Sequence, residues 1–292
     1  MSDPTIEAAP GGRRHPEWLK VRAPSGEAVH DTKRVIRGLQ LHTVCEEARC
    51  PNVGECWGHR TATFMLMGEV CTRNCGFCAV THGRPATLDP DEPRRVAQAV
   101  AQLNLRHVVV TSVDRDDLQD GGAQHFADTA CAIKAQRPDC RVELLIPDFQ
   151  GDQRAIDTAT DAPIDVLNHN LETVPRLYRR VRPGSHYQRS LALLQRAHER
   201  RPGLLTKTGL MLGLGEQRAE MLAVFADLQA AGCAILTLGQ YLRPSAEHLP
   251  VERYVPPPEF AELGRAAAEF GFRHVESGPL VRSSYHAWKH VG

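Results

Sequence analysis

A chain of 292 residues, 42% of them apolar, suits one large α/β domain with extensions rather than a mini-domain. Its 35 acidic residues balance 35 basic ones and its fourteen histidines are scattered, so no basic field argues for a nucleic-acid partner. No apolar run reaches the ~18 residues that a membrane span requires. Residues 1–14 are rich in small residues, Pro and Gly and contain Asp3 and Glu7. They lack the apolar core of a secretory signal and the Arg-rich character of a transit peptide, so they read as a disordered tail of a cytoplasmic protein. In a reducing compartment nine cysteines point to metal binding or catalysis rather than to disulfides, and six of them fall between Cys45 and Cys78.

Residues 15–56 form an N-terminal extension. The part up to Thr43 carries mixed charge with a short helical pattern from Thr32 to Leu39, which reads as an arm packing over a domain. A first cysteine triplet follows, Cys45, Cys50 and Cys56, with four and five residues between its members. Pro51 and Gly54 are expected to break any continuous helix there, leaving a loop that turns its thiols inward.

Residues 57–271 alternate short β-branched runs with amphipathic stretches. Candidate strands are Thr61–Met67, His107–Thr111, Arg141–Ile146, Ile164–Asn168, Leu204–Met211 and Ile235–Tyr241. Helical patterns run from Pro93 to Leu103, Gly122 to Gln136, Glu216 to Ala231 and Pro257 to Phe270. Such alternation implies right-handed βαβ units and a parallel sheet. The expected fold is α/β: a partial, open (β/α)6 TIM-like barrel, with a doubly wound sheet as the topological rival. Residues 272–292 form a C-terminal segment, with a strand-like start at Phe272–Val275 and then Ser277-Gly278-Pro279-Leu280-Val281-Arg282-Ser283-Ser284-Tyr285-His286-Ala287.

Directly after the first strand stands a second triplet, Cys71-Thr72-Arg73-Asn74-Cys75-Gly76-Phe77-Cys78. Three convergent thiolates are soft ligands suited to zinc or to an iron–sulfur cluster. A structural zinc site is normally closed by four protein ligands, and no fourth sulfur is near. Three cysteines on a four-iron cubane leave one iron open to chemistry. Barrels place their sites at the C-terminal ends of strands, where this loop lies.

Other strand ends carry polar groups. Thr111-Ser112-Val113-Asp114-Arg115-Asp116-Asp117 is an unusually charged turn, or an ordinary solvated helix start. Asn170 and Glu172 follow the fourth strand, where Glu172 could equally cap a helix. Gly209, Gly213 and Gly215 would let a ligand approach the backbone, or simply make a helix-entry loop. Cys131, Cys140 and Cys233 read as small apolar core groups. Arg179, Arg180 and Arg182 read as a basic rim, or one of them binds a cofactor carboxylate or the acidic surface of a partner.

The pattern Cys-x3-Cys-x-aromatic-Cys, with Phe77 before the third cysteine, resembles the signature of the radical SAM superfamily. Gly209 to Glu216 resembles that superfamily's Gly-x-Ile-x-Gly-x-x-Glu stretch, with Met211 in the isoleucine position. Together with Cys-x4-Cys-x5-Cys, the terminal Arg-Ser-Ser-Tyr, and the flanks Leu41–Ala48, Val109–Asp117 and Gly239–Pro244, the chain is similar to the lipoyl synthase family from His15 to Ala287.

That resemblance implies two [4Fe-4S] clusters and S-adenosylmethionine. Cys71, Cys75 and Cys78 would hold the cluster that cleaves S-adenosylmethionine to a 5′-deoxyadenosyl radical, with Phe77, Asn170, Glu172 and Gly213 at the cofactor. Cys45, Cys50, Cys56 and Ser283 would hold a second cluster that donates sulfur. The reaction implied is insertion of two sulfur atoms, at C6 and C8, into an octanoyl chain held on a carrier lysine. The implied partners are octanoylated lipoyl-carrier domains (2-oxoacid dehydrogenase E2 subunits and the glycine cleavage H protein), a low-potential electron donor and an iron–sulfur carrier. The arm and the C-terminal segment are expected to close over the substrate. Another radical SAM sulfur inserter and a two-cluster electron carrier are the alternatives.

Overall fold

In the computed structural model the described residues are 16–21, 27–47 and 50–289. The expected tail, residues 1–14, lies outside them. After a short 3-10 turn (Glu17–Leu19) come helix α1 (Glu27–Gly38), a two-residue strand β1 (His42–Thr43), and two short helices, α2 (Val44–Glu47) and α3 (Val53–Gly58). Six strand–helix steps follow: β2 (Thr61–Leu66), a small ribbon of β3 (Val70–Cys71) and β4 (Thr81–His82), then α4 (Glu92–Gln102); β5 (His107–Ser112) and α5 (Ala123–Gln136); β6 (Arg141–Leu145) and α6 (Gln153–Asp161). They continue through β7 (Val166–Asn168) with α7 (Tyr178–Val181) and α8 (Tyr187–Arg200), β8 (Leu205–Leu212) with α9 (Arg218–Ala230), and β9 (Ile235–Gln240) with α10 (Pro257–Glu269). Strand β10 (His274–Gly278) ends the sheet.

The large sheet has the order β1-β2-β5-β6-β7-β8-β9-β10, and every neighbouring pair is parallel except β1 with β2. A doubly wound sheet reverses its strand order at a switch point. This order runs in sequence without reversal and does not close on itself, so the architecture is the open (β/α)6 barrel. Strands β2 and β9 are buried at every position, as expected where helices cover one face and the lumen the other. The helices begin where local chemistry tells them to. Asp152 accepts the Arg154 N–H at the start of α6, and Gln217 with Glu220 forms a reciprocal capping box on α9. The stripe Met221, Val224, Phe225 and Leu228 of α9 is essentially fully buried, as its spacing predicts.

Within these elements the structure departs from the sequence reading at the first triplet and at Cys131, and it extends the reading at the C-terminal segment. The first triplet is not a plain loop: α2 carries Cys45 and α3 carries Cys56, with Cys50 between them. Gly54 is tolerated because it sits in the first turn of α3, where backbone N–H groups have no intrahelical acceptor to lose. Cys131 is exposed on α5 rather than packed in the core, while Cys140 and Cys233 are buried. The strand-like start of the C-terminal segment is a seventh parallel strand, β10, in register with β9 from His274 opposite Ile235 to Gly278 opposite Gly239.

That register delivers the C-terminal segment across the end of β9. A Cβ on Gly239 would lie 2.0 Å from the Val281 carbonyl oxygen, so only glycine admits the crossing. Inside the barrel, Lys207 of β8 donates to Glu143 of β6 at 2.9 and 3.0 Å, and Asn168 of β7 donates to the same carboxylate at 2.8 Å. Both charged groups are fully buried, so each is tolerable only because of the other.

Candidate functional site

The second triplet begins as the chain leaves β2. Met67 and Gly68 take positive φ, and the Met67 N–H donates to Glu92, itself paired with His125 at 2.7 Å. The ribbon of β3 and β4 brackets the loop, pairing Val70 with Thr81 and Cys71 with His82. Within it, the Cys71 sulfur accepts the N–H groups of Asp114 at 3.3 Å and Arg73 at 3.4 Å. The Gly76 N–H donates to Val181, the Leu249 N–H donates to Gly76, and His248 donates to the Cys78 carbonyl at 2.9 Å. A Cβ on Gly76 would meet the Leu249 side chain at 2.9 Å, so the loop lies flush against that segment. Phe77 is partly buried against the core.

The three thiols feel one another. Burial pushes Cys71 up to about 11, helped by the Asp114 carboxylate and Cys78. Burial pushes Cys75 up to about 12, partly offset by Arg182, and raises Cys78 as well. A metal bound here would displace protons, because thiolate rather than thiol is the ligand.

Facing the loop are residues from the ends of β7 and β8. Asn170 donates to Glu172 at 3.0 Å, and Arg182 donates to the Asn170 backbone carbonyl at 2.6 Å. Glu172 does not cap a helix. Its φ is +66°, and its backbone pairs with Gly209 and Met211 of β8. Burial raises its carboxyl, partly countered by the Arg182 guanidinium. Arg182 is buried rather than on a rim, lying 5.8 Å from the centre of the Tyr178 ring. The turn after β5 is not a solvated helix start either: Asp114 and Asp116 close on Arg73 from within the cysteine loop. Gly213 has a packing reason of its own. Its N–H donates to Glu216 at 2.7 Å, and a Cβ would strike the Gln240 amide at 2.3 Å and the Arg253 carbonyl at 2.5 Å.

Two polar atoms here are buried without a partner, Asn170 Oδ1 and Arg182 Nε. Buried polar groups are nearly always bonded, so an acceptor and a donor orphaned beside three thiols fit a polar cofactor next to a three-cysteine cluster.

The first triplet is assembled differently. The Cys50 N–H donates to the Cys45 carbonyl at 3.1 Å, and the Cys56 N–H to Asn52 at 3.0 Å. Cys45 is packed against Trp57 and Thr63, and burial pushes it up to about 11, with Cys50 adding repulsion. The buried Trp57 indole N–H faces the Cys45 sulfur and partly offsets that rise. The C-terminal segment closes this region. Asn52 donates to the Leu280 carbonyl at 2.7 Å, Tyr285 donates to Glu55 at 2.9 Å, and His286 lies 3.0 Å from both Glu55 and Glu276. Arg282 and Tyr285 face Cys50 and Cys56 respectively, and Ser283 is half-buried in the turn between them.

Sequence reasoning gave no role to Arg73, Asp148 or Trp57, and none to Arg282 beyond its place in the Arg-Ser-Ser-Tyr motif. A charge written inside a cysteine motif was the available signal for Arg73. For the others, only the fold shows what they touch.

Comparison with known proteins agrees with this geometry. The family model described as the radical SAM superfamily matches residues 65–228, and that of the N-terminal domain of lipoyl synthase matches residues 7–50. The lipoyl synthase of Koribacter versatilis (strain Ellin345) is 59% identical over 93% of this chain and 90% of its own length. That of Roseiflexus sp. (strain RS-1) is 56% identical over 98% of this chain and 95% of its own. Among solved structures, HydG, a maturase of the [FeFe]-hydrogenase, superposes with a TM-score of 0.57 at 14% identity, covering 89% of this chain and 70% of its own. Streptococcus suis SuiB bound to S-adenosylmethionine gives 0.57 at 10% identity over 82% and 57%. These two neighbours share the fold. On the family models and the close relatives together, the chain belongs to the lipoyl synthase family of the radical SAM superfamily.

Proposed function

We propose that this chain inserts two sulfur atoms, at C6 and C8, into an octanoyl chain carried on a lysine, with S-adenosylmethionine as the radical source. One observation carries the reading: two separate thiol triplets with no fourth cysteine beside either, one in the loop that follows β2 and one clasped by the C-terminal segment. An electron carrier would close each cluster with four cysteines. Cys71, Cys75 and Cys78 would hold one [4Fe-4S] cluster, and Cys45, Cys50, Cys56 and Ser283 the second. When bound, the clusters and S-adenosylmethionine supply the electron, the hydrogen-abstracting radical and the sulfur.

The protein's own residues supply position and dryness. Asn170, Glu172 and Arg182 offer an acceptor, a carboxylate and a donor beside the thiol loop, suited to the charged end of an amino-acid cofactor. Phe77 and Leu249 give that loop apolar packing. Gly213 shapes the β8 end that borders the site. Ser283 contributes a hard oxygen to an otherwise soft ligand set, which makes it the ligand most readily released when a cluster is dismantled. In this reading residues 57–271 are the barrel, residues 15–56 the extension carrying the second cluster's thiols, and residues 272–292 the segment bringing its serine. The substrates are octanoylated carrier domains. A low-potential donor and an iron–sulfur carrier in the cytoplasm complete the cycle. Among the described residues no helix is long and apolar enough to cross a membrane.

Anaerobic reconstitution with iron and sulfide tests the reading. About eight irons per chain are expected for two cubanes. The loaded protein, given S-adenosylmethionine, reductant and an octanoyl-lysine peptide, should release lipoyl product. About four irons, or cofactor cleavage without sulfur in the peptide, overturns the sulfur-donor assignment.

A further inference from the structure

Arg73 stands inside the cysteine loop, two residues after Cys71 and two before Cys75, yet its side chain is 5% exposed. Its guanidinium forks onto Asp116 at 2.7 Å through both Nε and Nη2. Nη2 also reaches Asp148 at 2.6 Å, and Nη1 lies 3.3 Å from the Ser185 hydroxyl and 3.5 Å from Asp114. The partners come from the ends of β5 and β6 and from the loop before α8, so one side chain ties three barrel segments to the loop. Asp114 also donates its N–H to the Cys71 sulfur, which makes guanidinium, carboxylate and ligand atom one connected unit. Arg189 of α8 reaches the far oxygen of Asp148 at 3.2 Å from a surface cleft between α6 and α8 lined by Gly151, Gln153, Ile156 and Arg196.

We propose that Arg73 is a positioning residue for the Cys71–Cys78 loop: its three-carboxylate clamp holds the thiols in ligand geometry before any metal enters. Apart from its flanking ribbon the loop has no regular secondary structure, so three thiols that serve one cluster must otherwise be ordered at the moment of loading. A rigid fork on two carboxylates is a task for guanidinium; lysine keeps the charge but not the bidentate geometry. A supporting shell of this kind separates a site that is merely present from one that is organised. The inference rests on the reading of Cys71, Cys75 and Cys78 as cluster ligands.

The test uses the metal-free full-length chain and times alkylation of each cysteine by mass spectrometry. Arg73→Gln should speed alkylation of Cys71 and Cys75 by ~10-fold or more, the scale of one lost charged hydrogen bond. Cys45, Cys50 and Cys56 should react at the wild-type rate. Arg73→Lys should fall between, and Asp116→Asn, which keeps the buried Asp148 pair, should repeat the pattern more weakly. A general loss of stability would instead speed all six thiols together, and that result overturns the proposal. So does an unchanged rate at Cys71 and Cys75 in a variant whose circular dichroism matches wild type. If Arg73→Gln does not fold, the outcome at Asp116→Asn decides. In reconstituted protein, Arg73→Lys should also shift the electron paramagnetic resonance of the reduced cluster. Iron counting on wild type tests the ligand assignment separately, so failure of the clamp and failure of that assignment are told apart.

Discussion

The two triplets offer the same number of thiols and are built in opposite ways. Cys71, Cys75 and Cys78 sit in one eight-residue loop, bracketed by its own strand ribbon and braced by the barrel. Cys45, Cys50 and Cys56 are spread over two short helices and lean on a segment some 230 positions later, through Asn52 to Leu280 and Glu55 to Tyr285 and His286. The first is stiff by local design. The second is held together by contacts between two segments far apart in the sequence.

Substitution at the thiols should separate the two most sharply. Cys71→Ala is expected to abolish S-adenosylmethionine cleavage, whereas Cys45→Ala should spare cleavage and stop sulfur transfer; deoxyadenosine and lipoyl product, assayed together, check this. If both variants lose cleavage equally, the division of labour is wrong.

Gly239→Ala should follow. The added Cβ meets backbone at 2.0 Å and cannot be accommodated by a side-chain rotation, so the C-terminal segment must shift, at a cost of about 2–4 kcal/mol. Reconstituted iron should fall from about eight to about four, with the Cys71 cluster retained.

Acid should loosen the clamp around the Cys71 loop. Burial alone would raise the Asp148 carboxyl, but Arg73 outweighs it and holds the group at about 2, against 3.8 ordinarily. A depressed carboxyl contributes stability that is complete above its unfolded value and fades as pH falls from about 4 towards 2. Thermal melts of wild type and Asp148→Asn should therefore converge across that window. A constant gap between them would assign the effect to packing rather than charge.

The smallest effect is expected at Glu55→Gln, which weakens exposed bonds to Tyr285 and His286 worth about 1 kcal/mol. Limited proteolysis after Gly278 should quicken by a few-fold without change at the Cys71 loop.

This contrast also governs what could be read in advance. The Cys71 loop is contiguous, so its spacing announced it, and the six strand–helix steps were legible because parallel strands and amphipathic helices each leave a period. What the period does not record is which charged residue points inward. Arg182 looked like a rim and is buried beside Asn170; Lys207 lay in an apolar strand and faces Glu143 in the lumen. Asp114 and Asp116 resembled a solvated turn because Arg73, their partner, is more than forty residues away. Strand β10 was only half visible, because its partly exposed edge position leaves no unbroken apolar run.

Strand β10 also sets a length. Its pairing with β9 fixes where Gly278 ends, and eight residues later His286 is held between Glu276 and Glu55. One residue added within β10 would advance the chain by ~3.3 Å and turn alternate side chains to the opposite face. That displacement exceeds any metal–oxygen bond. The stretch from His274 to His286 therefore behaves as a gauge, and insertions within it should be far more damaging than substitutions of the same residues.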